Sequence, residues 1–270
     1  MENTKTVKAL KKQLVAAIAM VLVAAVALGS STYAWFVSNN KVEGTVSTIS
    51  AQSNAPFLKI TAGNGTIDET TKTTYSYVQD VTTENKALFP VQMTAYGEGA
   101  FTWETAYAIE ESKSDENKDT RFTVASKDEE NYYLKESFKI GTDGTTEGTF
   151  KNLRVDSVKL NNTANSSLDT ALRLMVVCDE KVVILDGTGT VVTTYKKAGT
   201  TPDETITGVA DVANAALAET IGKGQSVVVD VYVYYDGADE KVTTKDIDKL
   251  KAIGATITFT ANDAATNATY

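Results

Sequence analysis

The stretch Ser226–Tyr235 reads SVVVDVYVYY, and its pattern decides the fold class of this chain. Successive side chains of an extended strand point to opposite faces, so four valines share one face, namely Val227, Val229, Val231 and Val233. The opposite face carries Val228, Asp230, Tyr232 and Tyr234. This alternation, in a run rich in Val and Tyr, predicts a β-strand.

Runs of the same character, rich in Thr, Val, Ile and Tyr and bounded by polar turns, occur along the chain from Trp35 onward. They are Thr45–Gln52, Phe57–Ala62, Thr74–Val78, Leu88–Thr94, Phe101–Ile109, Phe122–Ala125, Tyr132–Ile140, Leu153–Leu160, Ala171–Cys178, Lys181–Leu185, Val191–Tyr195 and Ala255–Ala261. Asp186-Gly187-Thr188-Gly189, between two apolar runs, predicts a hairpin. We predict short helices at Val209–Ala218 and at Thr244–Ile253, where Thr244 is the expected N-cap and Gly254 the expected stop.

Many short strands with few helices predict a mainly β fold, a jelly-roll-like β-sandwich with short helices in its connections. The chain has no sustained internal repeat and no linker rich in Pro and Gly. We therefore predict a single β-sandwich domain over residues 35–270, preceded by an N-terminal hydrophobic helix that serves as an export signal.

The N-terminus has the layout of a secretory signal peptide. Four lysines between Lys5 and Lys12 precede the apolar run Leu14–Leu28, and the small-residue stretch Gly29–Ala34 follows. We predict cleavage between Ala34 and Trp35, with Thr32 and Tyr33 completing the recognised junction, which makes residues 1–34 the signal peptide. The alternative is a retained anchor, but fifteen apolar residues form a helix of only about 22 Å against a bilayer core of about 30 Å.

Composition excludes several classes of function. A net charge of -9 and a pI near 4.7 disfavour binding to nucleic acid. The sequence contains no His, so it has no Ser-His-Asp triad, no Cys-His pair and no His-based zinc site. We therefore predict that the chain is not an enzyme, with no catalytic residues, no cofactor and no metal site. The single Cys178 lies in an apolar run, and we predict a buried side chain there rather than a reactive thiol.

Two weaker candidate sites have structural alternatives. Asp236, Asp239 and Glu240 either hold Ca²⁺ or form an ordinary surface turn. The aromatic side chains of Trp103, Tyr107, Tyr132 and Tyr133 either form a sugar-binding platform or belong to the core, which is their usual place on strands.

The junction Gly29-Ser-Ser-Thr-Tyr-Ala-Trp-Phe36 resembles the signals processed by SipW-type signal peptidases. The proteins that carry such signals include the TasA/camelysin-like exported proteins of Gram-positive bacteria. Four segments also look like strands of these proteins, namely Phe57–Ile60, Val176–Leu185, Asp230–Gly237 and Ile257–Ala261. The resemblance implies a jelly-roll domain at the cell surface or in the extracellular matrix. The metallopeptidase activity described for camelysin-like proteins does not transfer, because this chain has no His to hold zinc.

For TasA-like proteins the resemblance also implies fibres, in which the N-terminal segment freed by cleavage completes the sheet of a neighbouring subunit. Here that segment is residues 35–52, and we take Trp35, Phe36, Val37, Val46 and Ile49 as the residues of a candidate assembly strand. The alternative is that the segment pairs within its own domain as the first strand.

The function predicted on these grounds is that of a secreted or cell-surface structural protein, a subunit of an extracellular fibre or biofilm matrix that assembles by strand addition. Its expected partners are further copies of itself, host or matrix components, and a signal peptidase during export. The alternative is a monomeric surface adhesin that binds a glycan or a protein.

Overall fold

The structure of this chain, a computed structural model, describes residues 47–53, 55, 57–79, 87–105, 123–124, 132–145, 149–162, 164–196, 203–209, 216–251 and 253–263. All of them belong to one compact unit that spans Thr45–Tyr270. The predicted signal peptide, residues 1–34, lies outside the described residues, as does Trp35.

Fifteen strands run through the described residues, so the fold is mainly β, as the sequence predicts. They are β1 (Ser47–Ser53), β2 (Lys59–Ala62), β3 (Thr74–Gln79), β4 (Val91–Gly97), β5 (Ala100–Thr105), β6 (Thr123–Val124), β7 (Tyr133–Gly141), β8 (Phe150–Asn162), β9 (Leu172–Cys178), β10 (Lys181–Asp186), β11 (Thr194–Tyr195), β12 (Glu204–Thr205), β13 (Ala218–Ile221), β14 (Ser226–Tyr235) and β15 (Ile253–Asp263).

Two five-stranded sheets form the main body. Sheet A has the order β13-β8-β15-β1-β3, and sheet B has the order β10-β9-β14-β7-β2. The inward side chains of both sheets belong to one hydrophobic core, to which Phe259 of sheet A and Phe138, Val231 and Tyr235 of sheet B contribute fully buried side chains. Burial of this shared apolar face is the main force that holds two sheets together.

A third layer covers part of the outer face of sheet B. It is the three-stranded sheet β4-β5-β6, which meets the face of β14 that carries Tyr232 and Tyr234. Phe101 packs edge-on against Tyr232 with ring centroids 5.3 Å apart, and Trp103 packs edge-on against Tyr234 at 5.1 Å. The second half of β14 is therefore buried on both faces, whereas Val228 in its first half is 47% exposed.

The hairpin predicted at Asp186–Gly189 is confirmed. Asp186 ends β10, and its carboxylate accepts hydrogen bonds from the backbone N–H groups of Thr188 and Thr190. The chain then returns beside β10, since Val192 N–H donates to the Ile184 carbonyl. Burial raises the pKa of Asp186, but the hydrogen bonds from Thr188 and Thr190 outweigh it, so that the pKa lies below its ordinary value.

The two predicted helices need correction. Residues 210–215 lie outside the described residues, but Val209 forms an isolated bridge with Val182 and Ala218 begins β13, so neither end of the predicted helix is helical. The second helix is a short 3-10 helix, Thr244–Lys249. It ends early because Ile253 and Gly254 pair in β15, where sheet hydrogen bonds and the burial of Ile253 override the helical spacing.

A further 3-10 helix, Ser166–Ala171, connects β8 to β9. Asn165 caps its start by accepting a hydrogen bond from the backbone N–H of Ser167. None of the described helices is long and apolar enough to cross a membrane.

Candidate functional site

The described part of the candidate assembly segment forms β1, an interior strand of sheet A. Ile49 and Ala51 point into the core and are 3% and 1% exposed, because alternate positions of β1 face sheet B. On the outer face, Ser50 Oγ donates to Ser76 Oγ, and Gln52 Nε2 donates to Thr258 Oγ1 at 2.9 Å. These contacts reflect the position of β1 between β3 and β15, so both of its backbone edges are paired within the same chain.

Residues Ser47–Gln52 thus follow the alternative in which the segment is the first strand of its own domain. Of the candidate assembly residues, Ile49 lies in this strand, whereas Trp35, Phe36, Val37 and Val46 lie outside the described residues. Strand addition by residues 35–46 stays a prediction.

The pairing of β1 with β15 is unusual in this fold because it is parallel. Ala51 is the register partner of Ile257, and the pairing extends from Thr48 to Ser53. On its other side β1 pairs antiparallel with β3, from Ser47 to Gln52. All other pairs of named strands in the described part of the chain are antiparallel. The first described strand is consequently inserted between two strands that it does not join by a hairpin.

The four edges of the two large sheets differ in how they are covered. In sheet B, β10 forms bridges to Val191 and Val209, and Ile60 of β2 donates its backbone N–H to the Lys72 carbonyl. In sheet A, among the described residues, no backbone group hydrogen-bonds to the outer side of β3 or β13. β3 has six residues and β13 has four, so β3 is the longer open edge. An open edge offers unpaired N–H and C=O groups to another strand.

Of the aromatic side chains proposed as a sugar-binding platform, Trp103 and Tyr132 are core residues, and Tyr133 is half-buried against them. Trp103 is 5% exposed, and its ring lies 5.5 Å from that of Tyr133. Tyr132 is also buried, and Tyr107 lies outside the described residues. A buried ring is not accessible for stacking on a sugar, so the structure favours the core interpretation.

The loop after β14 is a turn held by its own carboxylates. Asp236 Oδ1 accepts the backbone N–H of Ala238, and Oδ2 forms an ion pair of 2.8 Å with Arg173. Asp239 Oδ1 accepts the N–H of Lys241. Within the described ranges, no three His, Cys, Asp or Glu side chains converge as a metal site. The surface-turn interpretation therefore fits this loop better than a Ca²⁺ site.

In comparisons with known proteins, no family model, curated protein or solved structure matches this chain. The resemblance to TasA/camelysin-like proteins therefore stays a prediction.

Cys178 is a buried side chain, as predicted, with 1% of its surface exposed. Burial raises the pKa of its thiol to about 11, with the neighbouring Asp179 charge acting in the same direction. The thiolate is the nucleophilic form of cysteine, so this side chain is kept in its unreactive state at neutral pH.

Sequence reasoning missed which strands form edges and which are interior. The runs Thr45–Gln52 and Thr74–Val78 have similar composition, yet β1 is interior and β3 is an edge. One sequence signal existed: Ile49 and Ala51 alternate with Ser50 and Gln52, a pattern typical of a strand with one buried face. That pattern identifies a buried face and contains no information on neighbours.

Proposed function

We propose that this chain is a secreted or cell-surface structural protein of a bacterium, which self-associates into extracellular fibres through the backbone of sheet A. The observation that carries the proposal is the position of β1, at the start of the compact unit and between β15 and β3. The residues that follow the predicted cleavage site lead directly into this strand.

Self-association occurs by exchange of β1 between subunits. The slot between β15 and β3 accepts a strand of the sequence STISAQS, and β1 of a neighbouring copy has the same sequence. An exchanged strand forms the same hydrogen bonds and buries Ile49 and Ala51 in the same pockets, so the exchange changes the connectivity and leaves the contacts unaltered. Because each subunit both donates and accepts a strand, repeated exchange produces a fibre when the contacts are head-to-tail.

The open edge of β3 supports the same mechanism. Among the described residues, β3 pairs with a single strand, β1. When β1 leaves, β3 loses the one strand partner seen in the described part of the chain, and a donated strand restores that pairing. The segment Trp35–Val46, which precedes β1, would then add contacts between neighbouring subunits.

We further propose that the sandwich is a jelly roll. Consecutive strands alternate between the sheets: β7 lies in sheet B, β8 in sheet A and β9 in sheet B, and β13, β14 and β15 alternate in the same way. Such crossing between two packed sheets is typical of jelly-roll connections and supports this finer description of the fold.

A disulfide test separates exchanged from unexchanged β1. Ser50 and Thr256 are register partners across β1 and β15, and both point to the outer face of sheet A. Neighbouring strands lie about 4.8 Å apart, within the range that a disulfide spans. In the variant S50C/T256C, we expect an intramolecular bond in monomers and a ladder of covalent oligomers on non-reducing gels of assembled protein. Cys178 is buried and adds little background.

The matched control is the variant K159C/T256C. Lys159 and Thr256 are register partners across β8 and β15, which the mechanism never separates. We expect its disulfide to be intramolecular in monomers and in fibres alike. A fibre that contains only intramolecular bonds in S50C/T256C contradicts strand exchange, and the absence of fibres by electron microscopy under every assembly condition contradicts the structural function itself.

Export is tested separately, by identifying the first residue of the protein that is recovered from outside the cell. Mass spectrometry should give a mature chain that starts at Trp35, with Thr32-Tyr33-Ala34 removed along with the rest of the signal. Recovery of the full chain from the cytosol argues against the proposal, and a membrane-bound chain that retains residues 14–28 supports the anchor instead.

The proposal includes no catalytic activity, cofactor or nucleic-acid partner, since the sequence lacks His and carries a net charge of -9. Host or matrix components are further partners that the surface location allows. The adhesin alternative was motivated by Trp103 and the neighbouring tyrosines. The burial of Trp103 and Tyr132 weakens it, but Tyr133 is half-buried and Tyr107 lies outside the described residues, so the alternative stays a prediction.

A further inference from the structure

On its C-terminal side, β1 is joined to the rest of its domain by a short linker, residues 54–58, which leads into β2. β1 lies in sheet A and β2 lies in sheet B, so the linker crosses from one sheet to the other. An extended chain covers at most about 3.5 Å per residue, so the linker can span about 20 Å between Ser53 and Lys59. When β1 of one subunit occupies the slot of another, the slot and the β2 strand of the donor must therefore lie close together.

The linker connects the two sheets at one end of the sandwich, which we call the linker end. In sheet A, β8 starts and β13 ends there, and Phe150 of β8 pairs with Ile221 of β13. In sheet B, β7 ends there, and its last residue, Gly141, pairs with the first residues of β2 and β14, Lys59 and Ser226. Because a linker of this length cannot reach past the sandwich, exchange of β1 brings the linker ends of two subunits face to face.

The linker itself carries an exposed aromatic ring. Phe57 is 47% exposed, and its ring lies 6.4 Å from that of Phe150, whereas Ala55 and Leu58 on either side of it are fully buried. A single exposed aromatic side chain is normal on a protein surface. This one, however, belongs to the segment that connects two exchanging subunits, so it lies where the two copies meet.

A hollow of about 360 Å³ opens at the same end of the sandwich, between the end of β13 and the start of β14. Its apolar lining is formed by Ile221 and Val227, and its rim includes the exposed side chains of Thr220 and Gln225. Since Ile221 pairs with Phe150, the hollow lies one strand away from the residue on which Phe57 rests. Each linker end thus has a projecting ring and an apolar hollow, a combination that is complementary to a second copy of itself.

We propose that the linker end is the contact surface between subunits that exchange β1, and that Phe57 of one copy enters the hollow beside Ile221 and Val227 of the next. The inference rests on the strand exchange proposed above and adds the surface through which the two copies touch. A subunit has one ring and one hollow, so it contacts one neighbour through its ring and another through its hollow. Contacts of this head-to-tail kind can repeat along a fibre.

Phe57→Ala and Phe89→Ala form a matched pair of variants. Phe89 is 44% exposed, and its ring lies 6.1 Å from that of Tyr132, but it precedes β4 near the opposite end of the sandwich, where Val91 bridges to Asp236. Sedimentation of the full chain measures the critical concentration for assembly. Phe57→Ala should raise this concentration about tenfold, since the remaining exposed half of the ring is buried only in the assembly. Phe89→Ala should leave it unchanged.

Distances between spin labels test the arrangement without altering the contact. One label is attached in Lys151→Cys, at an exposed position next to Phe150 at the linker end. The other is attached in Lys249→Cys, exposed at the opposite end, where the Lys249 carbonyl accepts from Asn162 at the end of β8. β8 extends over about 40 Å. Double electron–electron resonance on assembled protein should therefore give shorter distances between neighbouring copies for the Lys151 label than for the Lys249 label.

The outcomes separate this inference from the strand exchange on which it rests. Intermolecular bonds in S50C/T256C, together with equal critical concentrations for Phe57→Ala and Phe89→Ala, would leave exchange in place and overturn the linker-end contact. Distances for the Lys249 label that equal or fall below those for Lys151 would overturn it as well, even if Phe57→Ala failed to fold. Only intramolecular bonds in S50C/T256C would overturn exchange and this contact together.

Discussion

The side-chain amide of Asn162 donates a 2.7 Å hydrogen bond to the phenolic oxygen of Tyr235, and this bond connects the two sheets through their interior. Asn162 ends β8 in sheet A, and Tyr235 ends β14 in sheet B. The same amide donates to the Lys249 carbonyl, and Tyr235 Oη donates to the Lys251 carbonyl at 3.1 Å. Burial raises the pKa of Tyr235, which keeps the hydroxyl protonated as a donor.

Tyr235→Phe should lower the free energy of unfolding by about 1–3 kcal/mol, because it leaves buried polar partners without a hydrogen bond. The matched control is Tyr96→Phe, which removes an exposed hydroxyl that donates to the Asp179 carbonyl and should cost less than about 0.5 kcal/mol. Urea denaturation of the purified variants measures both. Equal losses would mean that the interior bond contributes no more than a surface one.

Val231→Ala and Val228→Ala compare two valines of β14 that differ in burial. Val231 is fully buried in the core between the sheets, whereas Val228 is 47% exposed. Val231→Ala should lower the free energy of unfolding by about 2 kcal/mol, because it removes two buried methyl groups and leaves a cavity. The same substitution at Val228 should cost less than about 0.5 kcal/mol. Chemical denaturation tests this ranking, and a reversed order would place β14 in the opposite register.

Gly208→Ala should destabilise the contact between the third layer and the segment that follows β12. Gly208 has a positive φ of +85°, and a Cβ atom at this position would lie 2.2 Å from the Tyr96 carbonyl oxygen. Gly189→Ala is the matched control, because Gly189 has nearly the same φ but its Cβ would meet no atom closer than 3.9 Å. In this control, the strained backbone alone should lower the free energy of unfolding by about 1–2 kcal/mol.

The steric clash should make Gly208→Ala more costly than its control, and the difference between the two free energies of unfolding measures it. The Trp103 fluorescence of the third layer should also change in Gly208→Ala and not in Gly189→Ala. Similar losses in both variants would show that the backbone moves to admit the methyl group.

Stability should fall as the pH rises above 9, because Cys178 is an acid whose pKa is raised from 9.0 to about 11 by folding. Between these values the unfolded thiol has lost its proton and the folded thiol has kept it, so the unfolded state binds fewer protons and is favoured by rising pH. In Cys178→Ala, the decline should begin only near pH 10, where the buried tyrosines Tyr234 and Tyr235 start to contribute. Thermal unfolding from pH 7 to 11 makes the comparison.

A thiol reagent gives an independent check on the same side chain. Native protein at pH 8 should react with Ellman's reagent only as fast as it unfolds, since the thiol is buried and neutral. Full reactivity should appear in urea. Rapid reaction of the native protein would indicate an accessible thiolate and would contradict the buried position of Cys178.

Local pattern was sufficient for most strands of the described chain. The alternation in Ser226–Tyr235 predicted β14 with its bounds, and Asp186-Gly187-Thr188-Gly189 predicted the hairpin after β10. It failed at β13, which begins at Ala218, where the alanine-rich run suggested a helix. The competing factor there is the ladder with β8, in which Ala218 pairs with Leu153, a partner 65 residues away that no local window includes.

The sequence by itself determined the β class, the strand faces and the absence of imidazole chemistry, because alternation and composition are properties of the chain alone. Only the tertiary structure decided that β1 lies between β15 and β3, that Trp103 is a core residue, and that Phe57 lies at the same end of the sandwich as the hollow beside Ile221. The physical reason is that strand neighbours and cavities arise from pairing between residues far apart in sequence. Several strands of similar pattern can form such pairs, and the best joint burial selects among them.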